Sequence, residues 1–301
     1  MVFCVSSLVA MKTYAFRPCT RIVRYPVLCR SNLFSTSDSD SASTNSSADK
    51  TASSHTPWDR PTKDRSNQKH NKTRFRQHVN PLASQYQQPT ALSDEWPTDV
   101  FSDLGRGLHL DIGCGKGGFL LEVAAARPDK NYLGLEIRPS VVQFAKERIE
   151  RHGLTGYLDY VGCNANVDLD RILKRHQDAG GGPLHTVSIQ FPDPHFKSAH
   201  VKRRVVTPKL VMTLAQFMPE AAILFLQSDV QSLLDDMRGR FREQPQYFED
   251  QIENEKDYME LNIMGIPTER EISVMNRDLP IFRTVFKRTS TLLRESCDKV
   301  L

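Results

Sequence analysis

The segment best suited to chemistry spans residues 191–197, Phe-Pro-Asp-Pro-His-Phe-Lys. An apolar run before it predicts a buried strand, and the prolines on either side of Asp193 stop a helix or a strand ladder from continuing. The carboxylate is therefore presented on a stiff turn at a strand end. Basic residues follow at once, at His200, Lys202, Arg203 and Arg204. A rigid acid beside cations that suit phosphates indicates chemistry on a nucleic acid. The alternative is a plain turn with a solvated charge run.

A glycine-rich turn at residues 110–119, Leu-Asp-Ile-Gly-Cys-Gly-Lys-Gly-Gly-Phe, supplies a second half of the candidate site. Its glycines permit positive φ and close approach of a ligand to the backbone. Gly113, Gly115 and Gly118 satisfy the GxGxxG spacing of nicotinamide enzymes, which is a weak signal alone. Asp111 favours a different cofactor, because a carboxylate there would repel a pyrophosphate and attract an ammonium group.

Glu136 lies at the end of the second predicted strand, 23 residues after Gly113. A carboxylate at this position typically accepts hydrogen bonds from ribose hydroxyls, although a surface acid at a strand end is the competing interpretation. Asn164 and Ala165 follow the third predicted strand, where they could hydrogen-bond and flank an adenine. A ligand with a ribose and a cation but no pyrophosphate is S-adenosylmethionine, the predicted cofactor.

Alternating strands and helices from Gly107 onward must position these residues. The pattern predicts an α/β fold, a Rossmann-like doubly wound sheet that is mostly parallel with right-handed crossovers. Ligands would then bind at the carboxyl ends of the strands. The predicted strands are Leu108–Ile112, Tyr132–Ile137, Leu158–Gly162, Thr186–Phe191, Ile223–Gln227 and Ile281–Phe286. The predicted helices are Phe119–Ala126, Val141–Arg151 with Ser140 as its cap, Leu169–Arg175, Pro208–Phe217 and Val230–Phe241.

The charge distribution separates the N-terminal region from the rest of the 301 residues. Residues 1–80 carry 13 Lys and Arg against 5 Asp and Glu, whereas the remainder carries 27 against 31. The folded part is mildly acidic, so a nucleic-acid contact must be a local patch. Residues 1–35 contain arginines and serines but no acid, which predicts an organelle transit peptide; an untargeted tail and a short signal segment are the alternatives. Residues 36–73 predict a disordered linker, and residues 74–301 the catalytic domain.

Other classes of site find little support in the composition. The six cysteines have no CxxC spacing, which argues against a zinc site or a disulfide framework. No acid or cysteine completes a metal coordination set with His195 and His200. No apolar run approaches the roughly 18–20 residues of a membrane span. We therefore expect neither a metal nor membrane association.

Taken together, the motifs resemble those of the tRNA (guanine-N7-)-methyltransferases, a family of class I S-adenosylmethionine-dependent enzymes. The resemblance covers roughly residues 74–288. The Pro-Asp-Pro-His-Phe-Lys and Thr-Glu-Arg-Glu blocks are its most specific parts. The matching segments are residues 76–82, 111–117, 134–138, 191–197 with the basic run after it, and 268–271.

The resemblance implies a role for each matching residue. Asp193 would be the central active-site acid at the cofactor. The other cofactor contacts would be Asp111, Gly113, Gly115, Glu136, Ile137, Asn164 and Ala165. The target guanosine would be held by Lys197, Asp229, Thr268, Glu269, Arg270 and Glu271, and tRNA would contact His200, Lys202, Arg203 and Arg204. Asn164 departs from some bacterial members, which carry an aspartate there.

The implied reaction needs positioning more than proton transfer. Guanine N7 already exposes a lone pair, so we expect Asp193 to orient the base and offset its developing positive charge. Glu269 and Glu271 are alternatives for holding the base edge, and Arg270 for pairing with a phosphate. Three other hypotheses remain: another methyltransferase of this architecture, a non-catalytic RNA-binding relative and a nicotinamide enzyme.

The resemblance also bears on partners and on the compartment. The family's usual target is a guanine of the tRNA variable loop. Some eukaryotic members need a non-catalytic β-propeller subunit, whereas an organelle address favours a bacterial-type enzyme with no obligate protein partner. We expect a plastid rather than a mitochondrion, and the cytoplasm or nucleus if the N-terminus is not a targeting signal.

Overall fold

Seven strands form a single sheet in the part of the chain that the structure, a computed structural model, describes: residues 78–252, 254 and 257–292. The predicted transit peptide and linker lie outside these residues. The strand order is β3-β2-β1-β4-β5-β7-β6. The strands are β1 (Leu108–Ile112), β2 (Asn131–Glu136), β3 (Leu158–Gly162), β4 (Leu184–Gln190), β5 (Ile223–Ser228), β6 (Phe248–Asp250) and β7 (Phe282–Arg288).

The first five strands pair in parallel, whereas β7 runs antiparallel to both β5 and β6. The chain order reverses between β1 and β4, so the topological switch lies where both of these strands end. The predicted Rossmann-like, mostly parallel sheet is confirmed. The helices are α1 (Gly118–Ala126), α2 (Pro139–Arg151), α3 (Ala165–Asp178), α4 (Pro208–Phe217), α5 (Gln231–Arg242) and α6 (Glu269–Met275).

Apolar side chains cover both faces of the sheet, as expected for buried parallel strands. On one face, strand residues such as Leu110 and Ile189 pack with α3, α4 and α5. On the other face, Tyr132, Tyr160 and Phe225 pack with α1 and α2. Burial on two sides holds the strand ends rigidly, and the loops after those ends carry the candidate site.

Two helices begin where the sequence prediction did not place them. Helix α2 begins at Pro139 after Arg138 rather than being capped by Ser140, because the fixed φ of proline suits the first helical position. Helix α3 begins at Ala165 instead of Leu169, since the Asn164 side chain accepts a hydrogen bond from the Asn166 N–H and caps it. The short elements β6 and α6 were not predicted.

Residues 78–90, here called the strap, lie against the end of β3 and the start of α3. The Asn164 amide donates hydrogen bonds to the carbonyls of Pro81 (3.2 Å) and Tyr86 (3.1 Å). Thr90 closes the strap with a 2.7 Å bond from its hydroxyl to the Gly162 carbonyl. The strap thereby folds onto the catalytic domain beside the carboxyl edge of the sheet.

Candidate active site

A strained turn carries Asp193 away from the end of β4. The flanking residues Phe191 and His195 adopt φ values of 49° and 46°, a conformation that side chains other than glycine rarely take. The surrounding contacts stabilise it: Phe191 N–H donates to the Gln227 carbonyl at 2.8 Å, and Arg204 Nε donates to the Pro194 carbonyl at 3.1 Å. Strain of this kind persists where the environment fixes the backbone, often at functional sites.

Beside this turn lies an open cleft at the carboxyl ends of β1, β2 and β3. A concave site with both apolar and polar lining residues suits a small-molecule ligand. The predicted residues Gly113, Glu136, Ile137, Asn164, Ala165, Asp193 and Arg203 line it, together with Val79 and Pro81 of the strap. The sheet edge therefore brings together most of the predicted cofactor residues and the predicted catalytic acid.

Glu136 is fixed at the end of β2 by two neighbouring residues, Gly115 and Arg138. Its Oε2 accepts a 3.1 Å hydrogen bond from the Gly115 N–H. The guanidinium of Arg138 donates to both of its oxygens, at 2.8 and 3.0 Å. This pairing raises the pKa of Arg138. Gly115 thus acts on the cleft through Glu136, because its own atoms do not line it.

Asp111 is deeply buried one strand away from Glu136. Its Oδ1 accepts hydrogen bonds from the Ser188 hydroxyl (2.6 Å) and the Gln190 amide (3.3 Å). Burial, with a smaller contribution from the charge of Glu136, raises its pKa to about 6 despite these two hydrogen bonds. A buried carboxylate attracts a positive charge, but Asp111 is not among the residues that line the cleft. Its contact with the ammonium group of the cofactor therefore stays a prediction.

A buried chain of hydrogen-bonded polar side chains, which was not predicted, extends from Asp111 across the sheet. Gln227 donates to Gln190 (2.8 Å) and to Glu271 (3.0 Å) through the same amide nitrogen. Arg283 donates to Gln227 at 3.1 Å and to Glu271 at 2.7 Å. Hydrogen bonds therefore link the predicted cofactor side of the site to the predicted guanosine side.

The block Thr268 to Glu271 forms the start of α6. The Thr268 hydroxyl accepts from the Glu271 N–H at 3.0 Å, and the Glu271 carboxylate accepts from the Thr268 N–H at 3.4 Å. This is a capping box. Glu271 is only 2% exposed and also accepts from Asn262, Gln227 and Arg283. Its position differs from the expected direct contact with a base, because it is buried and does not line the cleft.

The neighbouring residues of this block remain more accessible. Within the described part of the chain, Glu269 has no hydrogen-bond or ion-pair partner. Its carboxylate approaches α1 closely: a Cβ added to Gly118 would lie 2.8 Å from Glu269 Oε1. Arg270 donates to Asp229 at 2.5 Å. Two predicted guanosine contacts, Asp229 and Arg270, therefore bind each other at the carboxyl edge.

The basic cluster divides into free and committed side chains. Lys197 and Lys202 are exposed. Arg203 lines the cleft, and its buried Nε has no hydrogen-bond partner among the described residues. Arg204 differs from the expectation of a tRNA contact, since it forms a 3.0 Å ion pair with Asp236 of α5 and supports the turn. His200 is partly buried within the 3₁₀ helix Ser198–Arg203.

The hydrogen bonds of the Asn164 side chain also differ from the expected bond to an adenine. Its amide nitrogen donates two hydrogen bonds to strap carbonyls, and its oxygen caps α3. Its contribution to the cleft is therefore to fix the strap and the start of α3. Ala165 beside it forms part of the wall.

The donor set fits S-adenosylmethionine and offers little to a metal. A buried acid, Asp111, suits a cation, and Glu136 at the end of β2 suits ribose hydroxyls. Among the described residues, no cluster of three or more His, Cys, Asp or Glu side chains could hold a metal ion. Nor does any helix among them have the length and apolarity needed to cross a membrane.

Comparison with known proteins gives consistent matches over this domain. A family model described as "Putative methyltransferase" matches residues 106–284. The tRNA (guanine-N(7)-)-methyltransferase of Microcystis aeruginosa is 44% identical over 216 residues, covering 72% of this chain and 98% of that protein. The enzyme of the same name from Synechococcus elongatus is 45% identical over 217 residues, covering 72% and 97%. A solved structure of an antibiotic-related methyltransferase aligns with a TM-score of 0.44 at 14% identity, covering 68% of this chain and 98% of that chain.

Proposed function

Because the chain belongs to the tRNA (guanine-N(7)-)-methyltransferase family, we propose that it transfers the methyl group of S-adenosylmethionine to N7 of a guanine in tRNA. The observation that carries this proposal is the position of Asp193, on a rigid turn at the mouth of a cleft that also contains Glu136. The target is a guanine of the variable loop.

In this proposal the residues divide the work by their chemistry. When bound, S-adenosylmethionine supplies a methyl group activated on a sulfonium. Glu136 accepts ribose hydroxyls, Ile137 and Ala165 flank the adenine, and Asp111 attracts the ammonium group. Guanine N7 carries no proton, so the reaction needs no general base. Asp193 instead accepts hydrogen bonds from the guanine N1–H and amino group. Catalysis then comes from orientation and from the negative charge near the ring.

Some of the predicted guanosine residues contact the nucleoside directly, and others position the residues that do. Glu269 presents the accessible carboxylate, and Lys197 lies on the catalytic turn. Thr268 and Glu271 fix the start of α6, while Asp229 and Arg270 brace each other and leave Arg270 half exposed to pair with a phosphate. Lys202 and Arg203 provide the positive charge for the tRNA backbone.

The chain acts without an obligate protein partner and works in a plastid. The similarity to cyanobacterial enzymes over nearly their whole length supports both statements, and the acid-free, arginine- and serine-containing N-terminus supports the second. Fusion of residues 1–70 to a fluorescent protein tests the address. Chloroplast fluorescence is expected, and a mitochondrial or cytoplasmic signal would contradict it.

The direct test incubates the full chain alone with unmodified tRNA and S-adenosylmethionine labelled in the methyl group. Borohydride reduction and aniline cleavage then map 7-methylguanosine. We expect cleavage at a single variable-loop position, and no label in a tRNA whose guanine there is replaced by adenine. Label at another base, or binding of tRNA with no transfer, would favour the competing hypotheses of another methyltransferase or a non-catalytic relative.

A further inference from the structure

One aromatic side chain of the catalytic turn has no place in the protein core. Phe196 is 74% exposed, three residues after Asp193. Six other large apolar residues are exposed in the described part of the chain, and all of them are aliphatic: Leu82, Leu261, Ile263, Met275, Leu279 and Leu292. An isolated exposed apolar residue is ordinary on a protein surface, so exposure alone assigns no role to Phe196.

The backbone around Phe196 is fixed at both ends. His195 before it is held at a φ of 46°, and the Lys197 carbonyl after it accepts a 2.7 Å hydrogen bond from the His200 N–H. Farther along, Arg204 anchors the turn through Pro194 and Asp236. The ring is therefore presented from a supported position.

The chain that follows Phe196 is cationic. Lys197 is its exposed neighbour, and the 3₁₀ helix that follows contributes exposed Lys202 and cleft-lining Arg203. Such a surface disfavours a lipid tail or an apolar protein surface, because the charges would lose water. It suits a nucleic acid strand, whose phosphates meet the cations while an unstacked base covers the ring.

We propose that Phe196 is a stacking platform for a nucleobase of tRNA adjacent to the target guanosine. This inference rests on the proposed function and adds a contact to it. When the target guanosine leaves the tRNA stack to enter the cleft, the neighbouring base loses a stacking partner, and the Phe196 ring replaces it. Stacking tolerates any base, since each has a π face, so Phe196 contributes affinity and positioning rather than sequence choice.

The test measures tRNA binding and methylation by the full chain carrying Phe196→Ala, Phe196→Leu or Phe196→Tyr. We expect Phe196→Ala to raise the Kd for tRNA roughly 5- to 100-fold, with the Kd for S-adenosylmethionine unchanged. Phe196→Tyr should keep wild-type affinity, and Phe196→Leu should not restore it. Leu292→Ala, at another exposed apolar position, is the matched control and should bind tRNA normally.

A salt titration and a fluorescent variant separate stacking from other contacts. Since Phe196 carries no charge, Phe196→Ala should weaken binding without changing the dependence of log Kd on log salt. Phe196→Trp should show fluorescence quenching by tRNA that exceeds any change in the wild type. Wild-type affinity in Phe196→Ala, or full recovery in Phe196→Leu, would overturn the stacking role while methylation by the wild type leaves the proposed function intact. A wild type that neither binds nor methylates tRNA would overturn both.

Discussion

His78 Nδ1 lies 2.7 Å from Asp193 Oδ1, although the two residues are 115 positions apart in the chain. This contact joins the strap to the catalytic turn at its central acid. The side chain of His78 is 68% exposed and that of Asp193 is 36% exposed, so the pair contributes little to stability. Its consequence is for orientation: one carboxylate oxygen of Asp193 is directed at the strap, and the other is left for a ligand.

Replacing His78 with alanine should therefore affect turnover more than folding. We expect His78→Ala to lower kcat roughly 2- to 5-fold, because an exposed pair is worth up to about 1 kcal/mol, with a change in Tm too small to matter. His78→Gln retains an N–H donor and should recover much of the rate. His185→Ala, which removes another exposed histidine, serves as the control. An unchanged kcat in His78→Ala would show that Asp193 needs no such support.

The second prediction concerns the stability contributed by Asp111. Its pKa is raised from 3.8 to about 6 by burial, so the folded protein binds this proton more tightly than the unfolded chain does. The resulting stability is fully present below about pH 4 and is lost as the pH rises through about 6. The loss is at most about 3 kcal/mol. Asp111→Asn should remove this dependence and raise Tm at pH 7.5 more than at pH 5.

Thermal unfolding at the two pH values checks this, with Asp170→Asn on the exposed face of α3 as the control for losing one negative charge. A parallel titration measures cofactor affinity. The wild type should bind S-adenosylmethionine more weakly at pH 5.5 than at pH 7.5, and Asp111→Asn should bind weakly at both. If Asp111→Asn shifted Tm equally at both pH values, burial would not raise the pKa of Asp111.

The basic cluster gives a third prediction, which contrasts two neighbouring side chains. Lys202 is exposed, so Lys202→Ala should weaken tRNA binding and reduce the slope of log Kd against log salt by about 0.7–0.9, the value for one phosphate contact. Arg204 is committed to Asp236 and the Pro194 carbonyl. Arg204→Ala should therefore lower Tm and leave the slope unchanged. Identical slopes for the wild type and Lys202→Ala would remove Lys202 from the interface.

Local patterns were enough to predict the parallel strands, because β1, β3 and their neighbours are short apolar runs between turn residues. The capping box was also predictable, since Thr268 and Glu271 have the Thr-x-x-Glu spacing of a helix start. The family resemblance instead implied substrate contacts for this block, and no helix was predicted there. Asn164 was likewise predictable as a helix cap from its residue type, but it was expected to bond an adenine.

Contacts between distant segments could not be predicted in this way. Gln227 and Arg283 are ordinary polar residues in two strands, and only the register of β5 against β7 aligns them with Glu271. Likewise, no spacing rule connects His78 to Asp193. Tertiary pairing decides such contacts, whereas periodicity reports only which face of an element is buried.

The last prediction concerns the catalytic acid itself. Asp193→Asn preserves the size of the side chain and one carbonyl oxygen but removes the negative charge. Since the guanine ring gains positive charge as N7 is methylated, we expect the single-turnover rate at saturating tRNA to fall roughly 10- to 100-fold. Asp193 is partly exposed and outside the core, so Tm should be nearly unchanged. Asp193→Glu should also be slow, because the rigid Pro-Asp-Pro turn sets the distance of the carboxylate. An unchanged rate in Asp193→Asn would exclude charge stabilisation by this residue, and a loss confined to the KM for tRNA would limit its role to binding the base.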